Sequence, residues 1–184
     1  AGIRRKGKTR EVLDKFSVIM ALKALDRCDV AVLVLDSAQQ VSDQDATVAG
    51  FAIDRGKACL ILGNKWDLSG EKEISFDEFE DHVRYKLKFL EFAPVVTVSA
   101  KTGLRIDKIL PQVEKIYQEY SRRIPTATLN ECFERAIQKN PMSSYRGKFM
   151  KLFYATQVKK QPPTFKCFLN FPEGIHFSYR RYLI

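Results

Sequence analysis

The chain has 184 residues, of which 45% are hydrophobic and 29% are charged, and its formal net charge at pH 7 is +9. This length is enough for one large domain or two small ones with a real core, and the composition excludes the disordered and fibrous classes. No apolar run approaches the roughly 20 residues of a membrane span and no signal peptide opens the chain, so we expect a cytoplasmic protein without a membrane span.

The positive charge is concentrated at the two ends of the chain. The opening stretch AGIRRKGKTR has several basic residues and no acidic one, and the region after Tyr145 has a single acid, Glu173. The middle of the chain is close to balanced. This distribution favours a nucleic acid or another polyanion as a partner.

The cysteines are too scattered to form a metal site. No two of them have metal-ligand spacing, and neither histidine pairs with them. In a cytosolic protein we expect four buried, reduced thiols. The residues concerned are Cys28, Cys59, Cys132, Cys167, His82 and His176.

Helices and strands alternate over the first two thirds of the chain. Apolar residues at steps of three and four predict a helix over 11–27, and the run DVAVLVLD predicts a strand over 29–36 that is buried on both faces. This alternation predicts a parallel sheet wrapped by helices, with ligands at the carboxyl ends of its strands. The further elements are predicted at 42–54 (helix), 58–63 (strand), 75–90 (helix), 95–98 (strand) and 104–122 (helix).

The pattern changes after Arg123, where we predict a domain boundary. A helix at about 129–139 precedes two β-rich runs, 148–159 and 164–171, and the KQPP between them suits an antiparallel pair. A last helix is predicted from about Gly174. Its apolar pattern is still running at Ile184, so we expect the chain to be truncated there.

The motif NKWD directly follows the predicted strand at 58–63. There the carboxylate of Asp67 can accept two hydrogen bonds from N1–H and N2–H of guanine, a pair of donors that adenine lacks. Asn64 would tie neighbouring loops together, and the stem of Lys65 would lie on the face of the base. A lone four-residue match is also compatible with a simple polar turn, so a second loop is needed to support this interpretation.

That second loop is SAK, at the end of the next predicted strand. The backbone N–H of Ala100 can donate to guanine O6, where the amino group of adenine would clash, and Lys101 can cover the other face of the ring. Two such loops at the tips of consecutive strands are far more specific than one. We therefore predict a site for GTP or GDP, and its residues are Asn64, Lys65, Asp67, Ser99, Ala100 and Lys101.

With these motifs the chain resembles the Der (EngA) family, bacterial double GTPases of ribosome assembly. The resemblance covers nearly the whole chain and extends to SVIMALKALDRCDVAVLVLD, the QD of VSDQD and YATQVKKQPPTFKCFLNFPEGIHFSYRRYLI. It implies an α/β fold with a P-loop-NTPase-type parallel sheet in a partial GTPase domain at 1–123. It also implies a small α+β KH-like domain, itself truncated, at 124–184.

The resemblance bears on catalysis as well. Family members read DTAG at the switch that senses the third phosphate, so Gly2 would offer its backbone N–H to the γ-phosphate, while the Asp that engages Mg²⁺ has no counterpart here. The sequence also contains no G-x-x-x-x-G-K-[ST] loop, which holds the phosphates and Mg²⁺. We therefore assign no catalytic residue and no metal ligand. We expect this stretch alone to be inactive and the complete protein to hydrolyse GTP with Mg²⁺.

The partners implied by the resemblance are the large ribosomal subunit, through rRNA and ribosomal proteins, and the first GTPase domain of the same chain. The C-terminal region interleaves aromatic residues with Lys and Arg, a mixture that suits base stacking and phosphate pairing. Alternating aromatics in strands are, however, more often core, and the G-x-x-G loop of ordinary KH domains is missing. We expect a KH-like fold without the usual grip on RNA.

Two other functions stay open at this point. One is a non-catalytic RNA- or ribosome-binding module in which the GTPase-like sheet serves only as a scaffold. The other is a flavodoxin-like domain that binds a small molecule, and only the predicted sheet supports it.

Overall fold

The computed structural model describes residues 11–70 and 74–183, with side chains from residue 19 onward. Gly2 and the rest of the basic opening stretch lie outside the described residues. The chain divides into two compact units, residues 1–120 and 121–184. None of the helices in the described ranges combines the length and apolar character that crossing a membrane requires.

Over its described residues, the first unit alternates four α-helices with three strands. Apolar residues at helical spacing form α1 over the predicted range. Ser42 is the N-cap of α2 and forms a capping box with Asp45, and Ser75 does the same for α3 with Glu78. In chain order the elements are α1 (Glu11–Arg27), β1 (Val30–Asp36), α2 (Asp43–Asp54), β2 (Ala58–Asn64), α3 (Phe76–Lys86), β3 (Val95–Thr97) and α4 (Ile109–Tyr120).

The three strands form a parallel sheet in the order β1-β2-β3. Side chains alternate along β2, so that Cys59 and Ile61 pack with α2 and α3 while Leu60 and Leu62 pack with α4. This confirms the predicted parallel sheet with helices on both faces. The centre of the first unit is therefore β2, whose first six residues are all buried.

The prediction that β1 is buried on both faces is wrong. Leu35 packs into the core with α2 and α3, but Val32 and Val34 on the opposite face are 41% and 57% exposed. The helix on that side, α4, packs instead against the core formed with Leu60 and Leu62 of β2. An apolar run alone does not show which face of a strand another element covers.

The second unit is a small α+β arrangement, as predicted for a KH-like domain. Its core joins Leu129 and Phe133 of the first helix to Ala155 of an antiparallel strand pair. The last helix begins at Phe177 rather than near Gly174, since Pro172 starts only one turn of 3-10 helix. The elements are α5 (Thr126–Lys139), β4 (Leu152–Lys159), β5 (Thr164–Leu169) and α6 (Phe177–Leu183).

The expectation of four buried thiols is also wrong. All four cysteines are free, but only Cys59 is buried, whereas Cys132 is exposed and the other two, Cys28 and Cys167, are half-buried. Burial, together with the nearby Cys28, raises the pKa of the Cys59 thiol to about 11. Cys132 lies on the exposed side of α5, whereas Leu129 and Phe133 lie on its buried side. The sequence analysis did not separate these two sides of the helix.

Candidate functional site

The two predicted loops emerge side by side at the carboxyl edge of the sheet. Asp36 pairs with Asn64 at the end of β1 and β2, and Gly63 pairs with Thr97 at the end of β2 and β3. The register of the parallel strands therefore brings the segment after β1, the NKWD loop and the SAK loop to one place. This is where an open α/β sheet binds its ligands.

The NKWD loop turns sharply because Trp66 faces inward. Lys65 takes a left-handed conformation with φ 65°, and Trp66–Leu68 then form one turn of 3-10 helix. The Trp66 ring meets Phe79 edge-on with centroids 5.8 Å apart, and its backbone N–H donates to the carbonyl of Val98 at 3.0 Å. The tryptophan thus anchors the loop to the core between the two residues, Lys65 and Asp67, that face the ligand side.

Asp67 is held by a residue of the other loop. The hydroxyl of Ser99, which is fully buried, donates to Oδ1 of Asp67 at 2.5 Å. This bond is the main cause that lowers the pKa of Asp67 below its ordinary value, with further lowering from the charges of Lys101 and Lys65. Asp67 is therefore an ionised acceptor at neutral pH, as recognition of guanine N1–H and N2–H requires.

Asn64 joins all three strand ends. Its carbonyl accepts from the backbone N–H of Ser37 at 2.9 Å and from the Ser37 hydroxyl at 2.8 Å. Its side-chain Oδ1 accepts from the backbone N–H of Ala100 at 3.0 Å. The structure thus contains the tie between loops that the sequence predicted for Asn64. The N–H of Ala100 that makes this bond is the one that was predicted to donate to guanine O6.

Lys65 has a partner that the sequence analysis missed. Its ammonium lies 2.6 Å from Oδ2 of Asp36, the last residue of β1, with side-chain exposures of 53% and 22%. Asp36 also accepts from the backbone N–H of Ala38 and from the side chain of Gln39, both at 3.0 Å. The acidic end of DVAVLVLD, level with Asn64 in the sheet, is the sequence signal that could have revealed Asp36.

The predicted residues surround one open cavity of about 300 Å³. Ser99 lies beneath it and acts through Asp67, and Leu68 is a lining residue that the motifs did not indicate. An ionised carboxylate, a backbone N–H with the Asn64 amide beside it and two lysine side chains at one cavity suit a planar ring with donors on one edge and an acceptor beside them. The lining residues are Asn64, Lys65, Asp67, Leu68, Ala100 and Lys101.

Two family models match the chain. The model described as "Elongation factor Tu GTP binding domain" matches residues 15–119, and the model described as "KH-domain-like of EngA bacterial GTPase enzymes, C-terminal" matches residues 123–184. Over all 184 residues the chain is 51% identical to GTPase Der of Desulforapulum autotrophicum and 43% identical to GTPase Der of Geobacter metallireducens. It spans 37% and 42% of the length of these relatives.

Solved structures share the fold at low identity. Era in complex with MgGDPNP and a segment of 16S ribosomal RNA aligns with 98% of this chain and 65% of its own, with a TM-score of 0.53 and 19% identity. A probable GTP-binding protein engB aligns with 65% of this chain and 76% of its own, with a TM-score of 0.52 and 19% identity. The similarity to both structures concerns the fold alone.

Proposed function

Because the chain belongs to the Der (EngA) family of GTPases, we propose that residues 1–123 read the base of GTP or GDP and that residues 124–184 form a KH-like domain that contacts RNA. One observation carries the first part. The ionised Asp67, anchored by Ser99, lies at the same cavity as the backbone N–H of Ala100.

The site distinguishes guanine from adenine by the direction of its hydrogen bonds. Asp67 retains free lone pairs beside the Ser99 bond and accepts from N1–H and N2–H. The N–H of Ala100, which is bonded to Oδ1 of Asn64 in this structure, exchanges that acceptor for O6. Lys65 and Lys101 lie over the two faces of the ring. Adenine has no proton on N1, so its N1 acceptor would face the acceptor oxygens of Asp67. It also carries an amino group where guanine has O6, so this donor would face the donor N–H of Ala100.

Mg²⁺ and the phosphates belong to the proposed activity of the whole protein. Mg²⁺ prefers several hard oxygen ligands in octahedral geometry, and the cavity between Lys65 and Lys101 does not fit that demand. We therefore assign no metal ligand and no hydrolytic step to the described residues. Gly2, whose N–H would meet the γ-phosphate, stays a prediction.

The biological role that we propose is GTP-dependent assembly of the large ribosomal subunit in the cytoplasm. The partners are rRNA, ribosomal proteins and the first GTPase domain of the same protein. Support comes from the two relatives named GTPase Der and from the basic second unit, because phosphate neutralisation by Lys and Arg dominates affinity for nucleic acids.

The test is competition between GDP and ADP for a fluorescent GDP analogue, measured on a longer protein of the relatives' full length. This chain spans 37% and 42% of that length. We expect GDP to be preferred, and Asp67→Asn to reduce that preference by about tenfold to a hundredfold. Asp81→Asn, on the exposed surface of α3, is the matched control. Equal affinity for GDP and ADP would leave the scaffold module, without nucleotide recognition, as the function of this sheet.

A further inference from the structure

The strand pair of the second unit has one covered face and one open face. Ala155 and Cys167 lie opposite each other and pack against the core of α5. Their neighbours along each strand point the other way, because side chains alternate. We name this open side the outer face, and it consists of Tyr154, Thr156, Lys166 and Phe168.

The outer face carries an ordered aromatic stack. The ring centroids of Tyr154 and Phe168 lie 4.3 Å apart, and the angle between the ring planes is 14°. The ammonium of Lys166 lies 5.0 Å from the centroid of the Phe168 ring. Tyr154 is nevertheless 46% exposed. A ring that is oriented by a neighbour and still accessible loses little entropy when a further planar group stacks on it.

The surroundings of the outer face favour an anion. The outer face contains no acidic residue, and two exposed lysines follow it along the chain, Lys159 at the end of β4 and Lys160 in the turn after it. From Tyr145 to the end of the chain the sequence has eight Lys and Arg and one acid, Glu173. Aromatic surface with cations around it is the combination that binds single-stranded nucleic acids.

We propose that the outer face binds a single-stranded RNA segment, with one base stacked on Tyr154 and phosphates beside Lys166 and Lys160. This rests on the RNA contact within the proposed function and deepens it by naming the surface and the form of the RNA. A duplex presents its backbone and keeps its bases stacked inside, so it cannot use Tyr154. The site lies on the sheet, away from the helices.

The experiment measures fluorescence anisotropy of a labelled, unstructured 12-nucleotide RNA with the whole chain, without nucleotide. We expect Tyr154→Leu to weaken binding by about tenfold to a hundredfold, and Tyr154→Phe to retain it. Phe149→Leu, at an aromatic residue that is 89% exposed but not on the outer face, should change affinity less than twofold. Lys166→Gln should reduce the slope of log affinity against log salt by about 0.7.

Thermal unfolding of each variant shows whether Tyr154→Leu has kept the fold, and Tyr154→Phe and Lys166→Gln provide independent readouts if it has not. The proposal is overturned if the RNA does not bind, if a 12-base-pair duplex of the same sequence binds as tightly, or if Tyr154→Leu and Phe149→Leu have equal effects. Displacement by an acidic peptide but not by unlabelled RNA would identify a protein partner and also overturn it. None of these outcomes depends on the GDP competition.

Discussion

The hydroxyl of Ser99 donates a 2.5 Å hydrogen bond to Oδ1 of Asp67, so a fully buried residue of one loop orients the proposed base-reading carboxylate of the other. A bond to an ionised acceptor is stronger and shorter than one between neutral groups. The two loops therefore form one site through a side chain that never reaches the cavity.

Ser99→Ala should raise the pKa of Asp67 toward its ordinary value, because the hydroxyl is the main cause of the lowering. A lowered carboxyl pKa means that the charged form, and any binding that depends on it, is present at neutral pH and lost as the pH falls through that pKa. The variant should lose guanine binding at a higher pH than the original chain. Carbon-13 NMR titration of the Asp67 carboxyl group measures this directly.

Ser69→Ala is the control, because the Ser69 hydroxyl donates to the carbonyl of Trp66 and not to Asp67. It should leave the titration of Asp67 in place. If the pKa of Asp67 is the same in Ser99→Ala, the hydrogen bond is not the cause of the lowering.

Asp67→Asn should transfer the preference from guanine to xanthine. An amide offers one acceptor to N1–H and one donor to the C2 oxygen of xanthine, whereas it opposes the N2 amino group of guanine. We expect XDP to bind more tightly than GDP by about tenfold or more, since a bidentate pair contributes about 1–3 kcal/mol to discrimination. Competition with both diphosphates in the longer protein measures it, and an unchanged preference for GDP would place the base elsewhere.

Gly63→Ala should destabilise the first unit by about 1–3 kcal/mol. A Cβ at this position would lie 2.6 Å from Cε1 and 2.8 Å from Cζ of Phe79, whose ring is 4% exposed and cannot move into solvent. Displacing Phe79 also disturbs Trp66, so guanine binding should weaken as well. Chemical denaturation and GDP affinity give the two readouts.

Gly50→Ala provides the opposite result from the same change. Gly50 is in the interior of α2 and a Cβ there meets nothing within 4 Å. This variant should gain about 0.5–1 kcal/mol in stability, because alanine restricts the unfolded chain and favours the helix. The steric explanation for Gly63 also predicts that Phe79→Leu relieves part of the cost of Gly63→Ala. A double variant whose loss of stability equals or exceeds the sum of the two single losses would argue against it.

Asn130→Ala should destabilise the second unit. The amide of Asn130 accepts from the N–H of Ala155 at 2.7 Å and donates to its carbonyl at 2.9 Å, and Ala155 is fully buried. Each group left without a partner costs about 1–3 kcal/mol. Faster hydrogen exchange at the Ala155 amide, and a lower midpoint of unfolding, are the expected results.

Asn130→Asp separates the two bonds. It keeps an acceptor for the Ala155 N–H but turns a second oxygen toward the Ala155 carbonyl, so we expect it to be unstable at neutral pH too. Asn140→Ala, an exposed position just after α5, is the control. Unchanged exchange at Ala155 in both Asn130 variants would show that this contact does not hold β4 against α5.

Local signals predicted much of the fold and most of the site. The apolar phase of α1 and the capping box at Ser42 identified helix positions well, because these interactions lie within a few residues of each other. The motifs NKWD and SAK located the cavity through the rule that ligands bind at the carboxyl edge. The base-reading roles of their residues stay predictions.

Two of the missed features come from contacts that the apolar pattern along the chain does not report. The helix predicted at 75–90 ends at Lys86, where the guanidinium of Arg84 donates to the carbonyls of Leu90 and Ala93 and holds a different turn. The pair between Lys65 and Asp36 joins residues of different strands. The pair between Lys65 and Asp36 depends on the register of the sheet, whereas Arg84 bonds to carbonyls six and nine positions further along the chain. The spacing of apolar residues specifies neither contact.

The bond between Asn64 and Ala100 has a consequence for how selectivity arises. Since the N–H of Ala100 already has an oxygen partner, guanine O6 exchanges one acceptor for another and adds little net attraction at this atom. Adenine would remove the first acceptor and supply none, leaving a donor unsatisfied. On this view the SAK loop selects its ligand by rejecting the wrong base, and the affinity for the right one comes from the carboxylate across the cavity.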